Sequence, residues 1–185
     1  MVAGKWIDEH DNLIITGPTG VGKSWLACAL GHKACRDQRS VLYQRTNKLF
    51  ADLALARGDG RYARLCRALF GVQLLILDDF ALEPINAQAR HDLLEIVEER
   101  YGRRSTIFTS QIPVDQWHAV IGDPTYADAI LDRVVHNAHK IDLEGESLRK
   151  TKPRPLSADS APFRPPIPIP FRPVIPTAFR PPIPI

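Results

Sequence analysis

The chain has 185 residues, 44% of them hydrophobic, and a net charge of +3, which suits one domain with a buried core and is too short for two. The charge is uneven: Lys152, Arg154, Arg164, Arg172 and Arg180 against Asp159 make the stretch after Thr151 +4 and leave the rest at −1, so overall basicity carries no argument for nucleic acid. With three cysteines (Cys28, Cys35, Cys66) and no C-x-x-C pair, no signal peptide, and no apolar run near the ~20 residues that span a bilayer, a soluble cytoplasmic protein with no membrane partner is expected.

In chain order, a strand is predicted at 13–16 and a helix at 23–36, then a strand at 41–44 and helices at 48–55 and 61–69. A strand at 74–77, a helix at 87–101, a strand at 106–109, a helix at 126–137 and a strand at 139–143 follow. Strands alternating with helices predict an α/β fold with right-handed crossovers and a parallel sheet covered on both faces. The run LLIL has no polar alternation, as a central buried strand requires. Leu93, Leu94, Ile96 and Val97 mark the core face of a helix, the cysteines are expected as small buried residues, and Trp25 and Trp117 are expected to pack. His136 and His139 have no third ligand beside them and read as structural.

Twelve of the sixteen prolines lie from Pro153 onward, leaving Pro18, Pro84, Pro113 and Pro124 before it. A folded domain over 1–150 and a Pro-rich tail over 151–185 are expected. The tail holds three near-copies of Phe-Arg-Pro-Pro/Val-Ile-Pro, a composition that forbids helix and favours extended or disordered chain. It reads either as a proline-rich docking ligand or as an accidental extension.

Residues Gly17, Pro18, Thr19, Gly20, Val21, Gly22, Lys23 and Ser24 match G-x-x-x-x-G-K-[S/T], entered from an apolar strand and left by an Ala/Leu-rich helix. Glycines let backbone N–H groups turn inward on phosphates, and the positive end of the next helix favours their charge. Lys23 is expected at the β- and γ-phosphates and Ser24 on Mg²⁺, with Trp25 completing the nucleotide-binding set. Further on, LLILDDF delivers two carboxylates at a strand's C-terminal end, the edge where ligands bind in open α/β sheets. Asp78 is the metal-holding candidate. Asp79 is placed to polarise an attacking water, or to serve as a turn carboxylate. No N-K-x-D motif is present, since Asn47-Lys48 is followed two residues on by Phe50, so ATP is favoured over GTP.

With both motifs in place the chain resembles the IstB-like ATPases, helpers of insertion-sequence transposases within the AAA+ clade of DnaC-type helicase loaders. The resemblance covers residues 6–152 and rests on GPTGVGKSWLACALG, LALARGDGRYARL, LLILDDF, DLLEIVEERYGRRSTIFTSQ, GDPTYADAILDRVVHNAHKI and GESLRK. It implies a P-loop AAA+ ATPase using ATP and Mg²⁺, with double-stranded DNA, a transposase and further copies of itself as partners. It implies that Gln111, or else Ser110, senses the γ-phosphate. It also implies that Arg133 is an arginine finger for a neighbouring subunit, the alternative being an ordinary ion pair. Arg149 resembles a second sensor or is a surface arginine. Between the two motifs, where this clade carries a DNA-facing helical element, Lys48, Arg57, Arg61, Arg64 and Arg67 could follow a phosphate backbone, or form a solvated face.

The resemblance also implies a helical segment before the first strand, for partner contact and part of the adenine pocket. Only twelve residues precede Leu13, so a truncated copy with weakened nucleotide affinity is expected. Beside the transposase helper stand a helicase loader, a small-molecule kinase, which would need an acceptor pocket and an arginine-bearing lid, and an inactive nucleotide-binding fragment.

Overall fold

A computed structural model of the chain describes residues 4–148; the proline-rich repeats and Arg149 lie outside the described residues. Five strands, β1 (Asn12–Thr16), β2 (Val41–Arg45), β3 (Leu74–Phe80), β4 (Ser105–Ser110) and β5 (Ala138–Asp142), form one sheet in the order β2-β3-β4-β1-β5. Every pairing is parallel. β4 therefore lies between β1, which enters the glycine loop, and β3, which carries the two aspartates.

Helices α1 (Lys5–Asp8) and α2 (Lys23–Arg36) cover one face. On the other face lie α3 (Thr46–Gly58), α4 (Tyr62–Gly71), α5 (Ala87–Arg100), α6 (Trp117–Ile121), entered through a 3-10 turn (Val114–Gln116), and α7 (Pro124–Val135). The apolar strands divide their residues by the two-residue pleat: Leu13, Ile15, Leu74 and Ile76 pack with Trp6, Ile7 and Ala27, while Ile14, Leu75 and Leu77 pack with Leu93, Ile96 and Ile130. A continuous apolar run is thus two half-cores, which is why alternation was missing from the sequence.

Every predicted strand and helix is present, with ends moved by up to three residues. α7 begins at Pro124 because Asp123 caps it, accepting from the Tyr126 N–H at 3.1 Å, and proline suits a first helical position. α3 runs on to Gly58, and β3 continues to Phe80 through a bulge after Leu77. Two elements were not predicted, α1 and the 114–121 segment. The second carries Trp117, which packs against Phe80 with ring centroids 4.5 Å apart and donates its indole N–H to the Ile112 carbonyl at 3.2 Å. Trp25 does not pack: it is 74% exposed. Of the cysteines only Cys66 is buried, correcting the expectation for Cys28 and Cys35.

Arg100 is fully buried without a carboxylate. Its guanidinium donates to the carbonyls of Leu69 (2.6 Å), Val72 (2.9 Å) and Ser105 (2.5 Å) and to Thr106 Oγ1 (3.0 Å), fastening the end of α4 to the start of β4. Among the described residues no helix is long and apolar enough to cross a membrane.

Candidate functional site

The glycine loop leaves the C-terminal end of β1 and becomes α2 at Gly22, whose side-chain-free cap leaves the first helical N–H groups without an intramolecular side-chain acceptor. Gly17 and Gly20 stand at φ 140° and 86°, in the region an L side chain avoids. Space excludes a side chain as well. A Cβ at Gly17 would lie 2.2 Å from the Leu143 carbonyl oxygen, and one at Gly20 would lie 2.1 Å from Ser147 Oγ. The chain after β5 thus lies on the loop, and the Leu148 N–H donates to the Gly20 carbonyl at 3.0 Å.

Lys23 is 6% exposed, folded over the loop with Nζ donating to the carbonyls of Gly17 (2.7 Å) and Pro18 (2.9 Å). Burial holds its pKa below the usual lysine value, against the opposing pull of Asp79 and Asp78. The ammonium that bridges the two loop carbonyls thus also feels the charge of both aspartates.

Asp78 is 1% exposed and accepts three hydroxyls. Ser24 Oγ (2.8 Å) and Thr109 Oγ1 (2.5 Å) donate to Oδ1, and the Tyr43 hydroxyl (2.5 Å) donates to Oδ2. Burial and this bond push the Tyr43 phenol up to about 12. Asp79 follows at φ 57°, a left-handed conformation set by the bulge in β3, and its N–H donates to Thr109 Oγ1 at 3.0 Å. Thr109 thus joins both acidic residues to β4. Ser24 and Asp78 bring two hard oxygen ligands together at 2.8 Å, a donor set that fits Mg²⁺.

Gln111 and Ser110 separate clearly. Gln111 Oε1 accepts from Thr19 Oγ1 of the glycine loop at 2.5 Å. Ser110 is buried, donates to the Phe80 carbonyl at 2.9 Å and accepts from the Ile112 N–H at 3.3 Å, which fastens the strand end. Pro18 and Val21 lie in the loop, and Trp25 stands in the first turn of α2.

Arg133, on α7, pairs with Glu98 of α5 at 2.8 Å and donates to the Ala129 carbonyl at 2.7 Å, the ion-pair arrangement the sequence left open. The basic stripe is only partly assembled. Arg57 makes a two-pronged pair with Asp92, which is 2% exposed, and stacks over Tyr62 at 4.1 Å from the ring centre. It therefore serves the fold, and Arg61 is paired with Asp59 at the start of α4. Lys48, Arg64 and Arg67 remain exposed on α3 and α4. His139 bonds Asp11 at 3.2 Å; among the described residues the one group with metal-ligand spacing is His91, Asp92 and Glu95, where Arg57 and Tyr62 already occupy the two carboxylates.

Tyr43 and Thr109 were not predicted as site residues. Each breaks an apolar strand pattern with a hydroxyl, in VLYQR and STIFTS, but nothing local says that the two flank Asp78.

Solved structures share this architecture. The chain superposes on DnaI with a TM-score of 0.69 at 22% identity, covering 77% of this chain and 81% of that one. The DnaC helicase loader gives 0.63 at 18% identity, over 75% and 81%. The replication initiator DnaA bound to AMPPCP and single-stranded DNA gives 0.66 at 17%, over 78% and 45%. The fold is of the P-loop AAA+ type, a five-stranded parallel sheet flanked by helices. Among sequence relatives, the insertion sequence ATP-binding proteins y4pL and y4uH of Sinorhizobium fredii are 76% and 60% identical, over 83% and 82% of this chain and 63% and 61% of theirs. The insertion sequence IS21 ATP-binding protein of Pseudomonas aeruginosa is 34% identical, over 85% and 61%. The chain thus spans about three-fifths of the length of these relatives. Residues 1–155 match the model of the IstB-like ATP binding protein family, and the chain belongs to that family.

Proposed function

We propose that this chain binds ATP with Mg²⁺ and hydrolyses it as a DNA-associated regulator of an insertion-sequence transposase. One observation carries the reading: Ser24 and Asp78, 54 residues apart in sequence, meet at 2.8 Å beside Lys23. The names of the sequence relatives supply the insertion-sequence context.

In this reading the loop N–H groups and Lys23 hold the phosphates, Lys23 exchanging the Gly17 and Pro18 carbonyls for phosphate oxygens. Ser24 and Asp78 hold the metal, which when bound neutralises charge on the phosphates. Asp79 orients the attacking water and accepts its proton. Gln111, already bonded to the loop through Thr19, senses the γ-phosphate. The exposed Trp25 flanks the nucleotide, and Lys48, Arg64 and Arg67 offer duplex DNA a sequence-indifferent phosphate contact. Arg133 completes a neighbouring subunit's site only after leaving Glu98, so turnover depends on assembly.

The test is phosphate release measured against protein concentration, with and without duplex DNA. Turnover per chain should rise with concentration and again with DNA. Binding without turnover at any concentration would make the chain a nucleotide-binding fragment, and phosphate transfer to a small alcohol would make it a kinase.

A further inference from the structure

Asp78 is held by hydroxyls from three separate elements, and they are not equivalent. Ser24 and Thr109 share Oδ1, while Tyr43, on the edge strand β2, alone holds Oδ2. A buried carboxylate bonded through one oxygen can still turn about its Cβ–Cγ bond, whereas donors on both oxygens fix its plane. When Ser24 turns to a metal, its bond to Oδ1 is given up, and Tyr43 and Thr109 remain to keep that oxygen facing Ser24. Tyr43 itself is 39% exposed, on a strand paired along one side only. The tether therefore sits at the open edge of the sheet, next to the start of α3.

We propose that Tyr43 is a positioning residue for the divalent cation, acting through Asp78; this rests on the nucleotide reading above. Loss of such an outer partner weakens metal affinity by about tenfold. The phosphates are gripped from the other side, by the loop and Lys23, so metal-free binding does not involve this hydroxyl.

The experiment titrates Mg²⁺ into the full chain and its Tyr43→Phe variant in the presence of a fluorescent ATP analogue, following bound analogue rather than turnover. The variant should need about tenfold more Mg²⁺ for half-maximal binding, while its affinity in EDTA shifts less than twofold. A Tyr43→Trp variant, filling the edge without the hydroxyl, should behave as Tyr43→Phe does. Identical Mg²⁺ titrations of the variant and the unaltered chain would overturn the tether alone. Equal weakening with and without Mg²⁺ would reduce Tyr43 to a packing residue. An unaltered chain that binds no analogue at any Mg²⁺ concentration would overturn the nucleotide reading and the tether with it.

Discussion

Replacing Lys23 by alanine separates two contributions of one ammonium. Nζ gives two hydrogen bonds to neutral carbonyls, Gly17 at 2.7 Å and Pro18 at 2.9 Å. In the proposed function, ATP exchanges these for bonds to anionic oxygens. A charged donor is worth about 1.5 kcal/mol on a neutral acceptor and about 3 kcal/mol on a charged one, so two exchanged bonds gain about 3 kcal/mol. Lys23→Ala should therefore weaken ATP binding by about a hundredfold. The orphaned carbonyls lie at a partly open loop where water can replace the ammonium, so the loss of stability should stay below about 1 kcal/mol, a shift of about 4 °C in Tm. Equilibrium titration with a fluorescent ATP analogue reads the first quantity and thermal unfolding the second. Affinity within threefold of the unaltered chain would refute the assignment, because no other lysine lies in the glycine loop. A large fall in Tm would refute the division of roles.

Gly20→Ala should destabilise the chain by about 1–2 kcal/mol in urea unfolding, because an L side chain at φ 86° is strained; adding Ser147→Gly should remove the 2.1 Å and 2.8 Å side-chain contacts but leave the backbone cost. Arg57→Ala should cost about 3 kcal/mol, since it leaves Asp92 buried without its cation, whereas Arg64→Ala should move stability by less than about 0.5 kcal/mol while weakening duplex binding in a filter or anisotropy assay. Arg133→Ala should leave nucleotide affinity within twofold and abolish concentration-dependent turnover. Glu98→Ala should raise that turnover by up to about fivefold, the worth of a ~1 kcal/mol surface pair, and mixing Arg133→Ala with Asp79→Asn chains should restore part of it.

What could be read from the chain alone divides by the range of the signal. The glycine loop and the aspartate pair were legible because each is written within eight residues at fixed spacing. The strands were legible because burial on both faces leaves unbroken apolar runs. Tyr43 and Thr109 were not, since β2 and β4 become neighbours of β3 only once the strand order is known. Arg57 misled for a related reason. It was grouped with Arg61, Arg64 and Arg67 as a possible phosphate contact, but it stands in the last turn of α3, where it reaches Asp92, a residue 35 positions away. α1 and the 114–121 segment are too short to show a period.

Strand order also determines how the two halves of the site can communicate. Because β4 separates β1 from β3, the loop and the aspartates share no backbone ladder, and β4 is the strand that reaches both. Thr109 touches Asp78 and the amide of Asp79; two residues on, Gln111 touches Thr19 of the loop. Ile112 then accepts the indole N–H of Trp117, which locks the strand's exit to α6, and α6 packs on α7, the helix that bears Arg133. These steps are contiguous hydrogen bonds and packed side chains, one kind of network that can carry coupling between distant groups. A displacement of Gln111 therefore has a short covalent and packed route to the Arg133–Glu98 pair.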